Sequence, residues 1–301
     1  VLPDGTRNAI CLQRLKDKLG NRSNASSEVE FDDTFGMMVG EEGRGIPTIL
    51  EMGVYTRFDC ATGAAGIMHQ CVAQAIHHAR HRSAFGKRLI DQPLMRNVLA
   101  DLALECEAAT ALALRLARAF DSRQDDAEAA LQRLLTPVAK YWICKRAPLV
   151  GAETMEVLGG NGYIEEGPIA RRFRELPLNG IWEGSGNIMC LDVLRSLRKG
   201  PEVAEALTTE LDAARGTHPA YDRFCEALKA RLADAAGEPS ARRLTQDLTL
   251  AVQASLLARH APQAVSNAFC APRLQPDPAG VFGALAPDTP FDQLIERAMP
   301  R

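Results

Sequence analysis

The chain has 301 residues, 46% of them hydrophobic, with 35 Lys and Arg against 38 Asp and Glu, a net charge of −3. That length is ample for a sizeable buried core and suggests about two domains. No run of ~18 uncharged apolar residues is present, which argues against a transmembrane helix.

No signal-peptide pattern opens the chain at Val1. Asn8 to Leu19 and Ser26 to Asp33 carry strand-like stretches, the second alternating Val29 and Phe31 with Glu28 and Glu30. Two strands alone do not make a stable sheet in water. After the Gly-rich turn Gly40 to Gly45 the pattern becomes helical. Pro47 suits a first helical turn, and an Ala-rich helix runs to about Arg82. A second helix starts near Asp91, has Pro93 early in it, and ends at about Phe120. Its polar residues Asn97, Asp101 and Glu105 fall at i, i+4, with Arg115 and Arg118 extending nearly the same stripe. The rest is Ala, Leu, Val or Cys, so most of that helix is expected to be buried. Further helices are predicted from Ala127 to Leu158, Pro168 to Arg174 and Gly186 to Arg198, an antiparallel bundle with short connections. The last hundred residues read as helices over Pro201 to Ala236 and Pro239 to Asn267, then a Pro-rich stretch from Ala271 to Pro290 and a short helix after Phe291. They are expected to form a docked structural extension.

Eight cysteines (Cys11, Cys60, Cys71, Cys106, Cys144, Cys190, Cys225, Cys270) form no C-x-x-C pair and lie in apolar stretches. They read as buried free thiols of a reducing cytoplasm, not as a zinc site. His77 and His81 are four apart on a helix, yet no H-E-x-x-H pattern accompanies them, and they read as a solvated face rather than a metal pair. No nucleophile elbow is present.

The segment Ile181-Trp182-Glu183-Gly184-Ser185-Gly186-Asn187 carries the most chemistry. It puts a carboxylate between a large aromatic and a small-residue turn that opens an apolar helix. Amides at a helix start favour negative charge, Ser185 is a good N-cap, and Gly184 and Gly186 permit close approach of a planar ligand. Glu183 therefore reads as a base beside an electron acceptor; the alternative is a polar turn with a solvated Glu. Arg82, at a helix end, is a plausible pyrophosphate contact or an ordinary helix-end charge. Gly159-Gly160-Asn161-Gly162 follows a helix rather than a strand, so it reads as a helix C-cap with glycine at positive φ, not as a dinucleotide fingerprint.

In this order, Arg82-Ser83-Ala84-Phe85-Gly86, Gln92, Gly159-Gly160-Asn161-Gly162 and Trp182-Glu183-Gly184-Ser185 resemble the C-terminal part of the acyl-CoA dehydrogenase flavoprotein family. Asn21 to Phe31, Thr56 to Ala61 and Trp182 to Arg195 are similar to its AidB-like branch, FAD-containing homologues associated with protection of DNA from alkylating agents. The resemblance is clear over roughly residues 8 to 198.

It implies a mainly α fold: the end of a middle β domain over 1–40, the family's helical bundle over 41–200, and a helical C-terminal extension over 201–301. It implies FAD as cofactor and an acyl-CoA thioester as substrate. Glu183 would take the α-proton while a β-hydride passes to the flavin. The base of another branch lies on the first bundle helix, where Tyr55-Thr56-Arg57 offers no carboxylate. Trp182, Gly184, Ser185 and Asn187 would line the flavin, Asn187 being one methylene shorter than the family's Gln. Arg82, Phe85 and Gln92 would contact FAD of a neighbouring subunit in a homotetramer. Gly159 and Gly160 would hold FAD as well, with Glu156 standing where the family has Gln. The alternative is a cytoplasmic flavoprotein that binds and protects double-stranded DNA with little dehydrogenase activity. Residues 201–301 hold ten Lys and Arg against thirteen Asp and Glu, a balance of −3, and clusters such as Arg171-Arg172 and Arg242-Arg243 are short.

Overall fold

The computed structural model describes residues 1–233, 237–275 and 289–299. Residues 234–236 of the expected helix and most of the Pro-rich stretch lie outside the described residues. The chain divides into two compact units, Val1–Thr56 and Arg57–Arg301, so that the boundary falls inside one long helix.

In the first unit, β1 (Ile10–Leu15) pairs antiparallel with β2 (Ser27–Phe31). Ile10 faces Phe31 and Leu12 faces Val29; then the register slips between Leu12 and Arg14. A bulged residue shifts side-chain alternation by one, so Leu15 returns to the face of Ile10 and Leu12. The opposite face is polar, with Gln13 Nε2 donating to Glu30 (2.7 Å) and Arg14 pairing with Glu28 (2.8 Å).

The second unit is helical. The greater part of α1 (Gly45–His81) runs beside α3 (Asp126–Leu158) in the same direction: the Cys144 thiol donates to Cys60 O at 3.5 Å, and Thr154 lies beside Cys71 near the other end. Between them in sequence, α2 (Pro93–Asp121) returns, its Phe120 ring stacked on Phe58 at 4.8 Å. Asp125 caps α3 by accepting from the amides of Ala127 and Glu128. The bundle continues through α4 (Gly160–Tyr163), α5 (Pro168–Glu175) and α6 (Gly186–Lys199). A two-stranded ribbon, β3 (Ser83–Ala84) with β4 (Lys87–Arg88), joins α1 to α2 and is not foreseen in the sequence pattern.

The extension forms α7 (Pro201–Asp212), α8 (Pro219–Ala233), α9 (Ala241–His260), α10 (Gln263–Arg273) and α11 (Phe291–Arg297). The two helices expected over 201–267 are thus four. The extension shares one apolar core with the bundle, α9 lying buried on most of its surface through Leu244, Leu248, Ala251 and Leu256.

The polar stripe of α2 is where the extension is fastened. Asp101 and Glu105 are buried, not solvated. Arg273 of α10 reaches Asp101 at 2.6 Å and Glu105 at 3.4 Å, and Arg146 of α3 holds Glu105 at 3.0 Å. One helical span along, Arg115 bonds Glu210 of α7 (2.9 Å) and Glu128 (2.7 Å), and Arg259 of α9 completes the set on Glu210 at 2.6 Å. The thiols are buried as expected except Cys11, which is exposed on the two-stranded sheet where no core covers it.

Burial pushes the Glu105 carboxyl up, but Arg146 and Arg273 outweigh it and hold it below its ordinary 4.5; Glu210 is held down in the same way by Arg115 and Arg259. The folded chain therefore binds fewer protons there than the unfolded chain. Their contribution is complete above about pH 4.5 and is lost as pH falls through the lowered folded values. Urea titrations at pH 6 and pH 4 should show this loss. Arg273→Ala, which removes the arginine shared by buried Asp101 and Glu105 and leaves Arg146 on Glu105, should cost about 3–5 kcal/mol at pH 7.

Candidate functional site

Two separate groups of residues emerge from the sequence-predicted set. The first is built on the turn between Gly180 and α6. Glu183 sits in the left-handed region at φ 58°, followed by Gly184 at φ 106°. A non-glycine residue there costs about 1–3 kcal/mol and persists only where its surroundings impose it. They do. Lys140, 1% exposed, donates from Nζ to Trp182 O (2.8 Å) and Gly184 O (2.6 Å). Arg57 donates from Nε to the intervening Glu183 O (2.9 Å) while its Nη1 pairs with Asp192 at 3.0 Å. Three successive carbonyls are thereby pinned by cations from α3 and α1, and the Glu183 side chain projects from a fixed backbone.

Glycine suits position 184 on two counts. Its φ favours glycine, and a Cβ would lie 2.8 Å from Met189 Cε and 3.2 Å from Ile188 Cγ2. Trp182 is partly exposed, and its indole N–H donates to Asn179 Oδ1 at 3.2 Å. Ser185 occupies the N-cap position of α6 with extended backbone, but its side chain makes no capping bond, contrary to the expectation of a side-chain cap. That leaves its hydroxyl for an acceptor outside the helix. Asn187 accepts from Arg242 of α9 at 2.9 Å. Burial depresses the Lys140 ammonium below its ordinary 10.5, with the carboxylate of Glu183 among the charges that oppose the fall.

Lys140 and Arg57 are the residues that sequence reasoning missed. Lys140 stands alone among Leu134, Leu135, Val138 and Ile143, all fully buried. A lone cation on such a face signals a buried polar partner, but not which one.

The second group lies at the far end of α1. Phe85 (φ 53°) and Gly86 (φ 78°) form the two-residue tip of the β3–β4 ribbon, the type I′ arrangement that suits a twisted hairpin. The Phe85 ring is 97% exposed. Gln92 donates from Nε2 to Ala84 O at 3.0 Å, bracing the ribbon from α2. Arg82 ends α1 through its amide bond to His78 O, and its exposed side chain has no partner among the described residues. Because α1 and α3 run in the same direction, Gly159 and Gly160 at the end of α3 belong to this end too. Gly159 is the C-cap at φ 61°, its amide bonded to Glu156 O at 2.9 Å, the positive-φ cap that the sequence implied. From Arg57 to the end of α1 is roughly 36 Å at 1.5 Å per helical residue. The Glu183 turn and the Arg82–Phe85 tip of one chain therefore lie far apart.

His77 and His81 are exposed, their rings tilted with centroids 4.4 Å apart. Among the described residues no group of three metal-ligating side chains is present, and no helix is long and apolar enough to cross a membrane. The basic clusters are largely engaged: Arg172 with Gln70, Arg174 with Glu165, Arg195 with Asp192, and Arg243 with Asp247.

Residues 43–198 match the family model described as the acyl-CoA dehydrogenase C-terminal domain, and the chain belongs to the acyl-CoA dehydrogenase family. It is similar to AidB of Escherichia coli (strain K12), 51% identical over 269 residues, covering 89% of this chain and 50% of AidB. Acyl-CoA dehydrogenase family member 11 of Caenorhabditis elegans is 32% identical over 195 residues, 64% of this chain and 32% of that protein. Among solved structures, Caenorhabditis elegans ACDH-11 in complex with C11-CoA superposes with a TM-score of 0.81 at 25% identity, covering 90% of this chain and 51% of that one. The chain spans about half or less of the length of each of these proteins.

Replacing Lys140 by Met would leave the partly buried carbonyls of Trp182 and Gly184 without this donor. The expected cost is about 2–4 kcal/mol, read by urea denaturation, with faster amide exchange confined to residues 181–187. Unchanged exchange there would show that Lys140 does not hold the turn.

Proposed function

We propose that this chain supplies the helical, base-bearing part of an FAD-dependent acyl-CoA dehydrogenase-like oxidoreductase, with Glu183 as the catalytic base. One observation carries the reading: a carboxylate on a turn pinned at three carbonyls, at the start of a helix whose N-cap hydroxyl is unused. The FAD complex of an acyl-CoA dehydrogenase from Bacillus anthracis shares the fold, with a TM-score of 0.70 at 17% identity. The complex of the Caenorhabditis elegans relative with C11-CoA supports an acyl-CoA thioester as substrate class.

The residues present fit the cofactor. Ser185, Asn187 and the first amides of α6 offer donors to an electron-rich ring, Gly184 lets it approach, and Trp182 offers an apolar wall. When bound, FAD supplies the two-electron acceptor for a hydride from the substrate's β-carbon. Glu183 takes the α-proton onto its carboxylate, so that the thioester leaves as the α,β-unsaturated product. A carboxylate serves here because the proton is transferred over hydrogen-bond distance, and the clamped backbone fixes where that carboxylate stands.

Arg82, Phe85, Gln92, Gly159 and Gly160 serve the FAD of a second copy. With roughly 36 Å of helix between the two groups, residues of one end cannot act on the flavin beside their own Glu183. A homotetramer, built as a dimer of dimers, brings opposite ends together. An exposed Phe85 and an Arg82 without a side-chain partner among the described residues support that use, the arginine fork suiting a pyrophosphate. Residues 1–40 are the end of a middle β domain, 41–200 the bundle and 201–301 its extension. Seven buried unpaired thiols, with burial pushing Cys71 up to about 11 and Cys144 to about 12, suit a reducing cytoplasm.

Glu183→Gln preserves shape and removes the base. Reduction of an electron-accepting dye by acyl-CoA should fall by about 10²–10⁴-fold, while FAD binding stays as in the wild type. A variant that keeps its rate would remove Glu183 from the mechanism.

A further inference from the structure

The extension reaches the same turn. Arg242 lies in the first turn of α9, its side chain exposed, and its Nε donates to Asn187 Oδ1 at 2.9 Å. A guanidinium has five N–H donors and no acceptor. The bond therefore decides which way the amide faces: Oδ1 turns to Arg242 and Nδ2 turns away from it. Nη1 and Nη2 of Arg242 have no hydrogen-bond or ion-pair partner among the described residues.

We propose that Arg242 is a positioning residue of the flavin site, which orients the Asn187 amide so that Nδ2 donates to the bound flavin and adds positive charge at the start of α6. The proposal rests on the reading of that helix start as the flavin contact. Asparagine is one methylene shorter than glutamine, so its reach leaves little freedom for an amide that is not held. Arg242 removes that freedom from outside the bundle. The surroundings agree. Burial pushes up Tyr141 and Cys190 beneath the turn, and Arg242 draws both back. The cations gathered near the turn are Lys140, Arg57, Lys145 and Arg242: Lys145 Cε lies 3.0 Å from where a Cβ on Gly186 would stand. The nearby carboxylates are Glu183 and Asp192, and Asp192 is already paired with Arg57 and Arg195. An electron-rich ring at this helix start would meet net positive charge, to which the extension contributes.

The test is FAD binding by the purified protein, followed by quenching of flavin fluorescence and by the visible spectrum of the bound form. Arg242→Ala, Arg242→Lys, Asn187→Ala and the double Ala variant are compared with the wild type, with far-UV circular dichroism confirming their folding. Arg242→Ala and Asn187→Ala should each weaken FAD by about tenfold, the loss of one hydrogen bond with a charged partner. The double variant should lose no more than either alone, and the bound flavin's absorption bands should shift in Arg242→Ala. Arg242→Lys should recover part of the affinity. Wild-type affinity and spectrum in Arg242→Ala, or additive losses in the double variant, would overturn the proposal. Absence of FAD binding by the wild type would instead overturn the flavin reading beneath it, and that is seen before any variant is measured.

Discussion

A buried ammonium sets the geometry on which the candidate site depends. Taking Lys140 out of water is costly, and the burial that depresses its ionisation expresses that cost. It is offset only if the ammonium finds good acceptors, and the acceptors are the carbonyls on either side of Glu183. Arg57 takes the carbonyl between them and is itself neutralised by Asp192 of α6. The strain of a glutamate at φ 58° is thus imposed by α1, α3 and α6 together. None of the three could shift without leaving an ion unpaired. A turn built this way is rigid although it lies at the surface, which a base needs if its carboxylate is to stand where a substrate proton will be.

The same device recurs on a larger scale between the bundle and the extension. Asp101, Glu105 and Glu210 are nearly inaccessible; Glu105 and Glu210 are each met by arginines from two different helices, and Asp101 by Arg273. Buried ion pairs are weak evidence for net stability, because desolvation cancels much of their attraction. Their consequence is specificity. α10 and α9 dock where Arg273 and Arg259 can reach their carboxylates, and any other seating strands charge in the core. That seating places the first turn of α9 beside α6, so the extension bears on the turn that carries Glu183.

Much of the helical frame was legible in the sequence. Apolar periodicity, Pro93 and Pro168 in first turns, and Gly159 after α3 mark boundaries that the structure places within a few residues. The turn signals around Ala84-Phe85-Gly86 were harder, since Phe is a poor candidate for positive φ; only the ribbon hydrogen bonds and Gln92 make that conformation hold. In the extension, Pro219 and Pro262 mark breaks that a smooth apolar pattern concealed, and four helices replace two.

The candidate site was legible in its motif and not in its supports. Glu183, Gly184 and Asn187 are contiguous, so their chemistry can be read from local order. Lys140, Arg57 and Arg242 lie far away along the chain, and none names its partner locally: a lone lysine on an apolar helix face, an arginine in a helix, half of an Arg-Arg pair. What sets them apart is that each donates to a specific acceptor across the fold. Charge patterning along a sequence counts such residues as solvated surface. The hydrogen-bond donors that a pinned turn needs are supplied by whichever helix passes closest, and spacing along the chain carries no record of that.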